Sequence, residues 1–115
     1  MPQSRFAPLP KPPYYAVIFT NQLAKAAPGY EAMADKIFDL ARTQQGFLGA
    51  ETTRDASGHG ITVSYWADED AIQAWKQVSD HLIAQKLGIK GWYERYSLRV
   101  AKVERAYCGP HGRSV

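Results

Sequence analysis

Cysteine is almost missing from this chain: Cys108 is the single one in 115 residues. One thiol permits no intrachain disulfide and no multi-thiolate metal site, which fits a reducing compartment. No apolar run approaches the roughly 20 residues that span a bilayer, and residues 1–13 lack the apolar centre of a signal peptide. A cytoplasmic protein with no membrane partner is expected. Charge of one sign is scarce too. The net charge is only +3, and Lys and Arg are scattered among acids with no run dense enough to track phosphates. A nucleic-acid partner is therefore not expected. What remains is one soluble domain of ordinary apolar content, 45%, long enough for a real core.

Five of the seven prolines crowd into residues 1–13, so this arm reads as extended and outside any sheet ladder. Tyr14 to Leu23 (YYAVIFTNQL) reads as a first strand. Tyr15, Val17, Phe19 and Asn21 share one face and Tyr14, Ala16, Ile18 and Thr20 the other, both largely apolar, as in a central strand. Pro28 suits the opening of a helix. Tyr30, Met33, Ile37, Leu40 and Ala41 supply its apolar face, and Gly46 is expected as its left-handed cap.

Phe47 to Arg54 reads as a second strand, and the Gly-rich turn over 55–60, which holds His59, reads as a hairpin loop. The stretch ITVSYWADEDAIQAW is a strand feeding directly into a helix. Asp68, Glu69 and Asp70 stand where unpaired backbone N–H groups need acceptors, and Ile72, Trp75, Val78 and Leu82 fall on one helical face. Ser79-Asp80 suggests a break near Val78 and a short restart through Leu87. Residues 92–107 form a long last strand whose apolar face changes after Val100, which predicts a bulge or an exchange of environment partway along. Residues 108–115 read as a tail.

The order βαββαβ predicts an α+β, ferredoxin-like four-stranded antiparallel sheet with both helices on one face. The apolar face of Tyr15, Val17 and Phe19 then needs cover, and a second copy packing sheet to sheet predicts a homodimer.

YYAVIFTNQL, GFLGAETTRD, ITVSYWADEDAIQAW, SDHLIAQ and YSLRVAKVERAY together resemble the antibiotic biosynthesis monooxygenase family, over Tyr14 to Tyr107. The resemblance implies a dimeric α+β barrel and a small monooxygenase that uses O₂ on an aromatic or quinol-type molecule without a cofactor. Such chemistry needs a dry apolar pocket, a base, and donors where negative charge develops. Phe19, Trp66, Trp75 and Tyr96 are candidates for the walls. Asn21 is the candidate donor. His81 is the candidate base, an imidazole being the side chain whose charge changes near neutrality.

The resemblance carries a second implication, because haem-degrading members use an Asn on the first strand, a Trp on the second helix and an iron-binding His about ten residues later. Asn21 and Trp75 match the first two. The third position is Gln85, with His81 about one turn too early, so iron ligation is not matched and no metal ligand is assigned. A non-catalytic small-ligand-binding dimer is the third reading.

Overall fold

The computed structural model describes residues 5–85 and 92–110 and, over 82–85, the backbone alone. The chain runs β1 (Tyr14–Leu23), α1 (Tyr30–Arg42), β2 (Phe47–Arg54), β3 (His59–Trp66), α2 (Glu69–Gln85) and β4 (Tyr93–Val103). The strands form one antiparallel sheet in the order β2-β3-β1-β4, the ferredoxin-like arrangement expected. No described helix is long and apolar enough to cross a membrane.

Opposed residues of an antiparallel pair share a face. Tyr15, Val17, Phe19 and Asn21 lie opposite Trp66, Ser64, Thr62 and Gly60. Trp66 stacks on Trp75 of α2 with ring centroids 5.9 Å apart, so this is the face the helices cover. The expectation that Val17 and Phe19 look away from the helices is corrected. The opposite face, called the open face because no helix covers it, carries Tyr14 and Ala16, both buried, and Ile18 and Thr20, with Ile61, Val63 and Tyr65 from β3. Both faces of β1 are apolar, and alternation separates two faces without saying which one meets a helix.

The helix layer sits off centre. Of the strands, α1 contacts β2 chiefly and α2 contacts β3, and the helix-side residues of β4 remain open, with Tyr96, Leu98 and Val100 exposed by 61%, 55% and 54%. Of the two alternatives expected for β4, the bulge after Val100 is corrected: its register with β1 is continuous from Arg95 to Val103, and the irregularity lies at Glu94, where Leu23 pairs with Tyr93. Ala101 and Val103 face the open side opposite Ala16 and Tyr14. The apolar face switches because different sides of the strand are apolar in turn, not because the strand kinks.

Two helix ends depart from expectation as well. Asp68 caps α2 as anticipated, its Oδ1 accepting the Ala71 N–H at 2.8 Å. No break forms at Val78. The Ser79 hydroxyl donates back to the Lys76 carbonyl at 3.2 Å, leaving α2 continuous through Gln85; the restart to Leu87 falls outside the described residues. α1 is capped at Thr43, and Gly46 adopts its left-handed φ of 89° three residues later, in the turn into β2.

The proline-rich arm makes no strand pairing in its described part. The Ala7 N–H donates to Glu51 Oε2 at 3.0 Å on the open face of β2, and the Tyr65 hydroxyl donates to Glu51 Oε1 at 2.9 Å. Burial, then the Glu51 carboxylate, pushes the Tyr65 phenol up to about 12.

Gly46 is needed twice. A Cβ there would lie 2.6 Å from the Ala71 Cβ of α2, in a left-handed conformation that L side chains rarely adopt. Gly46→Ala is expected to cost about 2–4 kcal/mol, from backbone strain plus overpacking. Urea unfolding followed by circular dichroism measures it; a loss below half a unit would mean that α2 yields freely.

Candidate functional site

One cross-strand rung on the helix side of the sheet gathers most of the polar chemistry. Arg54 of β2 pairs with Gly60 of β3, Gly60 with Asn21 of β1, and Asn21 with Tyr96 of β4. Gly60 has no side chain, and the Arg54 guanidinium fills that space: a Cβ on Gly60 would meet its Cζ and Nη1 at 2.7 Å. Arg54 donates from Nη1 to the Gly58 carbonyl at 2.6 Å and from Nη2 to the Tyr30 hydroxyl at 2.9 Å, with its Cζ 5.3 Å from the Tyr30 ring centre. Tyr30 opens α1, which brings the helix start onto the rung.

Tyr93 completes the cluster. Its hydroxyl donates to Tyr30 at 3.4 Å, and its ring meets Phe19 edge-on at 5.4 Å. The irregularity at Glu94 is what sets Tyr93 on the same side as Tyr96, at a centroid distance of 6.1 Å. Burial raises the Tyr93 phenol well above the ordinary tyrosine range; its bond to Tyr30 adds to this and the Arg54 charge opposes it. Trp92, buried, donates from Nε1 to the Pro28 carbonyl at 3.1 Å and packs edge-on against Tyr30.

Asn21 is the anomaly of the rung. It is 2% exposed, and neither its Oδ1 nor its Nδ2 has a hydrogen-bond partner among the described residues. A buried amide without partners costs free energy on the order of 1–3 kcal/mol, so the fold carries it at a loss.

The six candidate residues fall into three groups. Asn21, Phe19 and Tyr96 come together, since Asn21 opposes Tyr96 and the Phe19 ring lies 5.8 Å from that of Tyr96. Trp66 and Trp75 form a separate cluster at the other end of the sheet. Trp66 is fully buried, meets Phe47 edge-on at 5.3 Å and donates from Nε1 to Ser64 Oγ at 2.9 Å. Its rung is that of Tyr15, six residues from Asn21, or about 20 Å along a strand.

His81 is exposed on α2, six residues beyond Trp75, about 9 Å along the helix axis. Arg54, Tyr30, Tyr93 and Gly60 were not anticipated as site residues. The signal was a register: Arg54 and Gly60 face one another across a hairpin whose loop length fixes the pairing.

Two shallow concavities, of about 400 and 440 Å³, lie elsewhere: one is lined by Lys102, Glu104, Arg105 and Tyr107, the other lies on the open face beside Phe6 and Ile61. Neither includes Asn21, Trp66 or Trp75. The described residues hold no cluster of three or more His, Cys, Asp or Glu that would bind a metal. The position that the resemblance gives to an iron-binding histidine is held by Gln85, and Trp75 stacks on the buried Trp66.

Replacing Asn21 by an apolar side chain of similar size is expected to stabilise the protein. Asn21→Leu should raise unfolding free energy by about 1–3 kcal/mol, measured as a higher urea midpoint at unchanged slope. A lower midpoint would mean that the amide has a partner in solution.

The sequence profile of the family described as antibiotic biosynthesis monooxygenase matches residues 15–87. The uncharacterized protein YqjZ of Bacillus subtilis is 49% identical over 96 residues, 84% of each chain. Among solved structures, a mutant of SnoaB, a cofactor-independent oxygenase from Streptomyces nogalater, is similar in fold at a TM-score of 0.66 and 10% identity, over 81% of this chain and 95% of that one. Rv0793 from Mycobacterium tuberculosis is similar at a TM-score of 0.61 and 16% identity, over 81% and 95%. The profile match and the YqjZ identity reach well past half of the sequence, and by them this chain is a member of the antibiotic biosynthesis monooxygenase family.

Proposed function

We propose that the protein is a cofactor-independent monooxygenase acting on a small aromatic or quinol-type molecule, with the helix side of the Asn21 rung as its site. The observation that carries this reading is the unpartnered Asn21 amide, 2% exposed. A fold keeps such a group at a cost when a ligand completes it. Family membership supports oxygenation, and SnoaB, similar in fold, is a cofactor-independent oxygenase.

The chemistry asks for few residue types. Removing a proton from an acidic hydroxyarene or ring methylene leaves an anion able to react directly with O₂. When a methylene becomes a carbonyl, the two oxygen atoms end as that carbonyl and one water, so no outside reductant is consumed. Asn21 Nδ2 donates to the oxygen on which charge develops. Phe19 and Tyr96 flank the ring, and Trp66 with Trp75 closes the far end of the sheet–helix space against water. His81 accepts the proton from the solvent side of α2. The face turned away from the helices, with Ile18, Ile61 and Ala101, is covered by a second copy of the chain.

Oxygen uptake with hydroxylated naphthoquinols and anthrone-type methylenes, without added haem, tests the reaction. Asn21→Ala is expected to lower kcat by about 10²-fold or more and His81→Ala by about 10²-fold. Unchanged turnover in His81→Ala removes the base role, and binding without O₂ uptake removes the oxygenase reading in favour of a ligand-binding protein. Sedimentation should give a dimer that Ile18→Asp converts to monomer; a wild-type monomer at micromolar concentration overturns the assembly.

A further inference from the structure

The rung around Asn21 has donors in excess and no anion to receive them. A guanidinium has five N–H groups, and two bonds occupy Arg54. The Tyr30 oxygen accepts from both Arg54 and Tyr93, which leaves the Tyr30 hydroxyl proton without an acceptor among the described residues. Asn21 adds two more donors on Nδ2, both unused.

Side-chain carboxylates do not supply the missing charge. All eleven Asp and Glu residues fall within the described residues, and the ion pairs these form are Arg42–Asp39 and Lys76–Asp80. Arg54 is half-buried without a carboxylate, held by a phenol and a carbonyl over a glycine. The positive end of α1 adds to the local potential, because Tyr30 is its first residue and Gly29 provides no side-chain cap.

We infer that Arg54, Tyr30 and Asn21 form a binding site for an anionic oxygen on an aromatic ligand, an enolate or phenolate or else a carboxylate. The inference rests on the reading above in seating the ligand against Asn21; it adds that Arg54 favours the ionised form of the ligand over the neutral one and so selects for that charge. Tyr93 acts as a positioning residue: its raised phenol stays protonated and donates to Tyr30, which turns the Tyr30 proton toward the ligand. Tyr96, 61% exposed, is the neighbour of Asn21 toward the free edge of the sheet, the side from which a flat ring would enter.

Equilibrium binding, read by tryptophan fluorescence or calorimetry, tests this apart from turnover. The probes are 2-hydroxy-1,4-naphthoquinone, ionised at neutral pH, its neutral 2-methoxy counterpart, and 2-naphthoate. The wild-type protein is expected to bind one of the anions at least about tenfold more tightly than the methyl ether, as a charge-assisted hydrogen bond implies. Preference for the hydroxynaphthoquinone identifies an enolate or phenolate ligand, and preference for naphthoate identifies a carboxylate.

Arg54→Met should bring the anions down to the level of the ether, and Arg54→Lys should keep part of the preference. Gly60→Ala keeps the charge but displaces the guanidinium, the far end of a flexible side chain; it should lose several-fold on the anions alone and carries the test if Arg54→Met fails to fold. Equal binding of anion and ether by the wild type, or a preference unchanged in both Arg54→Lys and Gly60→Ala, overturns the inference. Anion preference without any O₂ uptake leaves the binding site standing and removes the oxygenase reading.

Discussion

Trp66 is the contact on which the rest of the molecule turns. It ends β3 with no exposed surface, presses on Phe47 of β2, stacks on Trp75 of α2 and opposes Tyr15 of β1. Two residues later Asp68 caps the helix, so strand, turn and helix are fixed by one ring and one carboxylate. Full burial of a side chain this size contributes several kcal/mol through area alone. It also decides the handedness of the layering, since whichever face Trp66 takes is the face on which α2 must lie.

From that anchor the helix layer is set toward β2 and β3, and the helix side of β4 is left bare. A sheet wider than its helix layer has a shelf along one side, here the strip of Tyr96, Leu98 and Val100. The polar rung begins under the helix start, at Arg54 and Tyr30, and ends on this shelf at Tyr96. Aromatic packing and unsatisfied polar groups are thus separated along the strands. The aromatic lock stands at one end, and the unpartnered amide, the guanidinium and the two phenols stand at the other. Such a division lets a costly arrangement persist at one end without loosening the fold at the other.

Much of the fold was legible in the residues because each segment carries a period of its own. Alternation in YYAVIFTNQL, spacing in Ile72-Trp75-Val78 and the acids at 68–70 each point to one element and one boundary. Three features were not legible, for related reasons. The covered face of β1 depends on where Trp66 points, which is a pairing register and not a local pattern. Ser79-Asp80 looks like a helix start, yet the hydroxyl is satisfied within the helix by the Lys76 carbonyl, a choice that local sequence leaves open. Arg54 was unremarkable at a strand end until Gly60 stood opposite it. Of the candidate site, Asn21 with Phe19 and Tyr96 could be read from strand faces, whereas Tyr30 and Tyr93 have rings that pack and only their hydroxyls reach the rung.

Glycine at 60 is what ties these observations into one argument. Any side chain there would occupy the ground that the guanidinium now holds, and the charge would move toward solvent, where it is screened and worth little. Held over the backbone instead, it lies in a partly dry environment in which an unpaired cation is unfavourable and a matching anion is correspondingly attractive. Asn21, on the next strand of the same rung, is unsatisfied in the same sense. One negatively charged oxygen placed between them would accept from both the guanidinium and the Asn21 Nδ2, so that a single ligand atom would satisfy N–H donors on two strands.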